Sequence, residues 1–309
     1  MHFTLVKCCT GGMHTPDLFD DVMRPVYFAL SRLGYSVACR ANEIDTFSTN
    51  ILFGSCRNAS INTNDFPANS IIYNFEQIAA NALLATEAYV QHLARHTVWD
   101  YSRRNIAYMR DTLGMRDVVE APVGYVPEMT RLRQGAQDID VLFYGAVNSR
   151  RKRILEQLGA AGLHVHILNG VYGEERDALI TRAKLIVNIH FYTPAILEMP
   201  RLGYLLANGK AVASEYGPET ERYEGLEDAA LFCDYDNLVS GVLTLLQKDA
   251  ARKALGRSAF NAFSRISLES ILQRIVGRRA YGPPAAVADY WGLTTQTSHD
   301  QTALASPPE

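Results

Sequence analysis

An α/β fold of two Rossmann-like domains facing across a cleft is the class this sequence predicts, on three observations. Apolar strand-like runs alternate with helix-like segments along most of the chain, which implies parallel pairing through right-handed crossovers. The run Ile139 to Tyr144 is apolar throughout after Asp140, as a strand covered on both faces requires. Between the halves, Ala121-Pro122-Val123-Gly124-Tyr125-Val126-Pro127 resists both helix and central strand, and the same scheme then starts again. A length of 309 residues also exceeds the usual size of one core.

In the first half, His2 to Cys9 reads as a strand, followed by a Thr10-Gly11-Gly12 turn and a helix from Pro16 to Leu33 that stops at Gly34. Tyr35 to Arg40, Asn50 to Gly54, Ser70 to Asn74 and Thr97 to Trp99 read as further strands, and Phe75 to Arg95 as helical. In the second half the strands are Ile139 to Tyr144, His164 to Leu168, Leu185 to His190, Ala211 to Ser214 and Ala230 to Cys233. Helices are expected over Arg151 to Ala161, Glu174 to Ala183, Arg201 to Ala207, Asn237 to Gln247, Ala250 to Ala262 and Leu268 to Val276. The helix at Arg201 stops at Asn208-Gly209, a usual C-terminal cap. Domain limits follow as 1–125 and 138–265, with a helix over 266–280 packing back on the first domain and a partly mobile tail over 281–309.

Composition excludes several classes. With 48% hydrophobic and 20% charged residues the chain is an ordinary globular protein. A formal net charge of -3 argues against extensive contact with a polyanion, while a local basic groove stays open. No apolar run is long enough to span a bilayer, and His2 to Cys9 lacks a cleavage site, so a cytoplasmic protein is expected. Five cysteines, Cys8, Cys9, Cys39, Cys56 and Cys233, show no metal-ligand spacing and read as reduced thiols.

The chemistry sits in loops that follow strands, where doubly wound sheets bind ligands. Gly145-Ala146-Val147-Asn148-Ser149-Arg150-Arg151-Lys152 leaves a buried strand and opens a helix. Cations at a helix start oppose its dipole unless an anion offsets them, so Gly145, Asn148, Arg150, Arg151 and Lys152 suit a diphosphate. Gly170, Val171 and Tyr172 lie in a glycine-bracketed loop, with Tyr172 placed either to stack on a base or to pack on the next helix. His190 and Tyr192 end a central strand, and Pro200 forces the following helix to begin near Met199 to Arg201, which holds Glu198 at its mouth. Facing them, Gly11, Gly12 and His14 follow the first strand and are candidates for the acceptor side, His14 either as a general base or as part of a plain polar loop. Asp138-Ile139-Asp140 precedes its strand and lies at the wrong end for a ligand. Asp234-Tyr235-Asp236 is better used with Asp236 capping a helix, so no metal is assigned.

Leu197-Glu198-Met199-Pro200-Arg201, continued through Ala207-Asn208-Gly209-Lys210-Ala211-Val212-Ala213-Ser214-Glu215, resembles the C-terminal donor domain of GT-B glycosyltransferases, nearest the bacterial group with spore-protein-like and family-one-like C-terminal domains. The resemblance covers roughly residues 70 to 265. It implies sugar transfer from a nucleotide-diphosphate sugar without metal or other cofactor, to an acceptor that is a glycan, protein, small molecule or nucleic acid. It maps the ribose-binding glutamate to Glu198 and the phosphate loop to Arg150 through Lys152; the position of His190 at the ligand end of the sheet makes it a catalytic candidate, and the helix start puts Arg201 beside the diphosphate. The acid that many retaining members carry seven residues earlier has no counterpart, since His190 and Phe191 occupy that neighbourhood, so stereochemistry stays open. Two alternatives keep the fold: a non-catalytic nucleotide-sugar or partner module, and a glycosyltransferase that modifies DNA bases.

Overall fold

The computed structural model describes residues 1–8, 19–55, 66–67, 69–78, 85–133, 135–192, 196–218, 220–221 and 223–277. Its first half is a parallel six-stranded sheet built from β1 (His2–Lys7), β2 (Ser36–Ala41), β3 (Thr49–Phe53), β4 (Ile71–Asn74), β5 (Thr97–Asp100) and β6 (Val118–Glu120), in the order β2-β1-β3-β4-β5-β6. Among the described residues, helices α1 (Asp20–Arg32), α2 (Glu87–Leu93) and α3 (Arg103–Ala107) accompany it. The second half is a parallel five-stranded sheet of β7 (Ile139–Tyr144), β8 (Val165–Leu168), β9 (Ala183–Asn188), β10 (Val212–Glu215) and β11 (Leu231–Cys233), in the order β11-β10-β9-β7-β8. Its helices are α4 (Ser149–Ala160), α5 (Gly173–Arg182), α6 (Met199–Ala207), α7 (Leu238–Leu246) and α8 (Asp249–Phe263), and α9 (Leu268–Val276) closes the described chain.

Strand order reverses between β7 and β9, so the loops after these two strands diverge to opposite faces and leave a crevice at their carboxyl ends. That crevice is where the sequence places its cations and Glu198. Buried side chains explain why these segments pair: Val141, Leu142, Phe143, Leu185, Ile186 and Val187 are all essentially inaccessible, as a sheet covered on both faces demands. One continuous core runs from Phe3, Leu30 and Trp99 through Val123, Val126 and Met129 to Leu202, Phe263 and Leu272, so the crossing segment is packed and not a free linker. Gly124 is required there, because a Cβ would meet the Leu268 backbone at 2.9 Å.

Charged groups also tie the halves together. Asp21 of α1 pairs with Arg131 and Arg176, while Asp177 accepts from Arg131 Nε (3.0 Å), Arg176 Nη2 (2.8 Å) and the Tyr204 hydroxyl (2.7 Å). Ser102 Oγ and the Arg103 amide both donate to Glu221, across the two halves. Helix α9 lies against α1, with Arg32 reaching Glu269.

Several sequence expectations change. Phe75 to Arg95 is not one helix: Phe75 to Gln77, Ala85 and Thr86 are non-helical, and α2 begins only where the Thr86 hydroxyl accepts from the Tyr89 amide. The strand expected at Leu185 to His190 is shifted to Ala183–Asn188, with His190 just beyond it. Asp234, not Asp236, terminates the turn before α7, accepting from the Asn237 amide at 2.9 Å. Strand β6, helix α3 and the π-helical turn Tyr108–Thr112 were not anticipated. Cys9 and Cys56 and the tail over 281–309 lie outside the described residues, while Cys8, Cys39 and Cys233 are free thiols.

Candidate functional site

The site grows from two loops that hold one another. Asn148 caps α4, its Oδ1 accepting from the Arg151 amide at 3.0 Å, while its Nδ2 donates to the Phe191 carbonyl at 2.9 Å. Arg151 follows on the same helical turn and sends Nε to the Ile189 carbonyl (2.8 Å) and Nη1 to the Ala146 carbonyl (2.8 Å). Arg150 reaches the His190 carbonyl (3.2 Å) and grips the Glu215 carboxylate with both terminal nitrogens, stacked over the Tyr235 ring. Thus the loop after β7, the loop after β9 and the end of β10 form one assembly.

Glu198 lies at the centre. Its Oε2 accepts from Asn188 Nδ2 at 2.9 Å and lies 3.0 Å from His190 Nδ1. Because the acid is ionised, that imidazole nitrogen must carry the proton. His190 Nε2 faces the Thr220 hydroxyl at 3.3 Å, so both ring nitrogens are engaged and the ring is buried. The second oxygen, Glu198 Oε1, is buried without a hydrogen bond and lies 3.7 Å from Arg151 Nη2. Arg201 Nη1 donates to Asn188 Oδ1 at 2.8 Å, on the far side of the same amide. Its other terminal nitrogen closes on Gly145, where an added Cβ would sit 2.7 Å away and where φ is +131°. Only glycine allows both that backbone and that approach.

Electrostatics separate the partners. Burial would raise the Glu198 carboxyl, but His190, Arg201 and the Asn188 amide hold it down to about 2. Burial, with Arg201 close by, pushes the Arg151 guanidinium down to about 10 against the pull of Glu198. Three arginines therefore face two carboxylates, Glu198 and Glu215, and the local balance favours a further anion.

Other expected residues lie apart from this assembly or outside the description. Lys152 is two-thirds exposed and pairs with Glu156 one turn along α4. Gly170 and Gly173 adopt φ of +73° and +59°, and Tyr172 begins α5 with Val171 packed against the core. Tyr192 lies edge-on to Phe191 at 4.9 Å. Gly11, Gly12 and His14 fall outside the described residues. Asn188, Glu215 and Thr220 were not expected. A buried Asn at a strand end was the available signal for the first; nothing local marks the others.

On the facing sheet, Asp100 ends β5 fully buried. It accepts from Asn74 Nδ2 (2.7 Å), Asn105 Nδ2 (3.0 Å) and the Ser102 amide (2.8 Å). Burial nevertheless pushes its carboxyl up to about 7.

Comparison with known proteins adds the fold. A two-sheet chain in the orders given above matches solved glycosyltransferases along most of its length. The DNA modifying enzyme β-glucosyltransferase, crystallised in the presence and absence of uridine diphosphoglucose, superposes with a TM-score of 0.58 at 11% identity, over 89% of this chain and 99% of that one. The fold is that of the GT-B glycosyltransferases. WaaG, a glycosyltransferase involved in lipopolysaccharide biosynthesis, gives 0.55 at 13% identity over 89% and 98%. Sucrose-phosphate synthase from Thermosynechococcus elongatus gives 0.55 at 12% over 88% and 97%. At such identities the likeness speaks for the GT-B fold alone. No protein-family model matches the sequence. Two uncharacterized proteins of Acanthamoeba polyphaga mimivirus are related in sequence: L140, 35% identical over 129 residues, and L137, 26% identical over 193 residues. The matches take in 40% and 59% of this chain, and the chain spans only 40% and 25% of those proteins' lengths. Among the described residues no helix is long and apolar enough to cross a membrane, and no three His, Cys, Asp or Glu side chains are grouped to hold a metal.

Proposed function

We propose that the protein is a GT-B glycosyltransferase that takes a nucleotide-diphosphate sugar in the crevice between β7 and β9, without a metal ion, in the manner of the bacterial group its C-terminal half resembles. One observation carries this reading: Glu198 is held ionised at the start of α6 with one oxygen locked by Asn188 and His190 and the other lacking a hydrogen bond, beside a cationic excess. Ribose hydroxyls are donors and would complete that carboxylate. The diphosphate would lie against Arg201, the Gly145 to Asn148 backbone and the start of α4, with Arg151 behind them. As an acceptor hydroxyl bonds to the anomeric carbon and passes its proton to His14 as general base, the bond from that carbon to the diphosphate breaks, and those fixed cations meet the charge that develops. His190 acts here as the residue that orients Glu198. The first half supplies the acceptor side, with Gly11, Gly12 and His14 as the residues expected there.

Calorimetric titration with uridine, guanosine and thymidine diphosphates and their sugars tests the reading. At least one should bind in the presence of chelator, and Glu198→Ala should abolish the signal. Binding to none of them, or undiminished binding by that variant, removes the assignment. Donor turnover with acceptor mixtures then separates an enzyme from a silent binding module.

A DNA-base acceptor is a second reading, drawn from the likeness to the DNA modifying β-glucosyltransferase. Against it, Arg32 is committed to Glu128 and Glu269 and Arg40 lies beside Glu43, which leaves fewer cations for a phosphate backbone. Labelled sugar appearing in duplex DNA would favour it.

A further inference from the structure

The opposite end of the second sheet holds a feature the transfer reaction does not use. Beneath the amino ends of β9 and β10, Arg133, Lys184, Lys210, Arg252, Lys253 and Arg257 line a cavity of about 680 Å³ that, among the described residues, no acidic side chain lines. Two carboxylates reach these cations from outside: Asp140 holds Lys184 at 2.7 Å, and Asp249 holds Arg252 and Lys253. Arg133 and Arg257 are exposed without an acidic partner among the described residues, and Lys210 is buried with its ammonium on the Ala183 and Thr181 carbonyls (3.0 and 3.4 Å). So strong a positive excess is unexpected on a chain whose formal net charge is -3. Like charges gathered in a concavity repel one another and focus a positive potential into it. The opening falls within the size range of small-molecule sites, and guanidinium forks match phosphate oxygens in pairs.

We propose that this cavity is a second, separate site for a small polyphosphate anion, a compound bearing three or more phosphate charges, at the end of the sheet opposite Glu198. A solvated basic face would pair each cation with an acid; here Arg133, Lys210 and Arg257 have no acidic partner among the described residues. Burial and the nearby Arg252 also push the Lys210 ammonium down to about 8, a strain that a bound anion relieves.

The test is titration calorimetry with sodium tripolyphosphate, ATP and inorganic phosphate at low ionic strength. Tripolyphosphate should bind, orthophosphate more weakly, and affinity should fall steeply with added salt. Equal affinity for ATP means the phosphate chain alone is read, and tighter ATP binding means the nucleoside is held as well; both support the site. The pair Arg133→Glu and Arg257→Glu should weaken tripolyphosphate by about tenfold or more, and the neutral pair Arg133→Gln and Arg257→Gln by less, with uridine diphosphate binding unchanged. Arg201→Ala should leave tripolyphosphate affinity intact. Absence of binding at millimolar ligand, wild-type affinity in both double variants, or loss in Arg201→Ala instead would overturn the proposal, whatever becomes of the donor site.

Discussion

Glu198, at the start of α6 beyond the carboxyl end of β9, and Asp100, at the carboxyl end of β5, are both largely removed from solvent and both bonded by an asparagine amide, yet the fold drives them in opposite directions. Burial raises each. Around Glu198 stand His190, Arg201 and Arg151, and the acid is held down to about 2. Around Asp100 the donors are neutral, the nearby charge is Glu221, and the acid rises to about 7. Neutral hydrogen bonds therefore do not compensate a desolvated charge; cations do. The end of the second sheet is built for negative charge, whereas the end of the first is built to do without it.

Removing Glu198 should have the largest effect. Glu198→Ala takes the Glu198 carboxylate away from Arg151, 5% exposed at its side chain, and from Arg201, a change that typically costs about 3 to 5 kcal/mol. Urea unfolding would register it, with loss of nucleotide-diphosphate binding beside it. Asp100→Asn should cost only about 1 to 3 kcal/mol from mismatched donors, with binding retained. Equal losses in both variants would break the contrast.

Acidity offers a second test, because the two groups act with opposite sign. Asp100 keeps its proton in the fold up to about 7, while the unfolded chain releases it near 3.8, so its contribution falls as pH rises through that window, by about 4 kcal/mol at most. Glu198, depressed from 4.5 to about 2, contributes stability above 4.5 that disappears as pH falls toward 2, on the order of 3 kcal/mol. Stability against pH should flatten on the high side in Asp100→Asn and on the low side in Glu198→Gln. Unaltered profiles in both variants would show that other groups set the acid response.

The second half was more legible than the first for the same electrostatic reason. An unbroken strand such as Ile139–Tyr144 declares a doubly covered sheet, Pro200 fixes where α6 starts, and adjacent arginines at a helix start call for an anion. What stayed hidden depends on distance in sequence. Glu215, sixty-five residues from Arg150, takes that guanidinium by pairing across the sheet, and no local pattern announces it. In the first half, β6 is three residues and α3 five, too short for periodicity to register. Phe75 looked helical because it opens an apolar and small-residue run, but its ring stacks with Phe53 and Tyr101, so tertiary packing of aromatics overrides local preference.

Glu215 gives the next effect in size. Glu215→Gln removes a mostly buried charge from Arg150, which should lower stability by about 2 kcal/mol, yet it also leaves the crevice more positive. Uridine diphosphate should therefore bind several-fold more tightly while the protein melts earlier. Weaker binding would mean that Arg150 must be held by Glu215 to present the loop, and that the cationic excess is not what draws the anion.

Lys152 marks the low end of the scale. Three cations adjoin in sequence, but the helix turns the third away: Lys152 and its partner Glu156 are each 66% exposed at the side chain, 3.5 Å apart. An exposed pair one turn apart contributes about 0.3 to 0.5 kcal/mol, so Lys152→Ala should scarcely move the unfolding midpoint. Diphosphate affinity should likewise change by less than about twofold, since a solvated charge beyond the first shell of the ligand is screened within roughly a Debye length. A tenfold loss would place all three cations on the ligand and erase the distinction between Arg151, committed to the crevice, and its neighbour on the open face of α4.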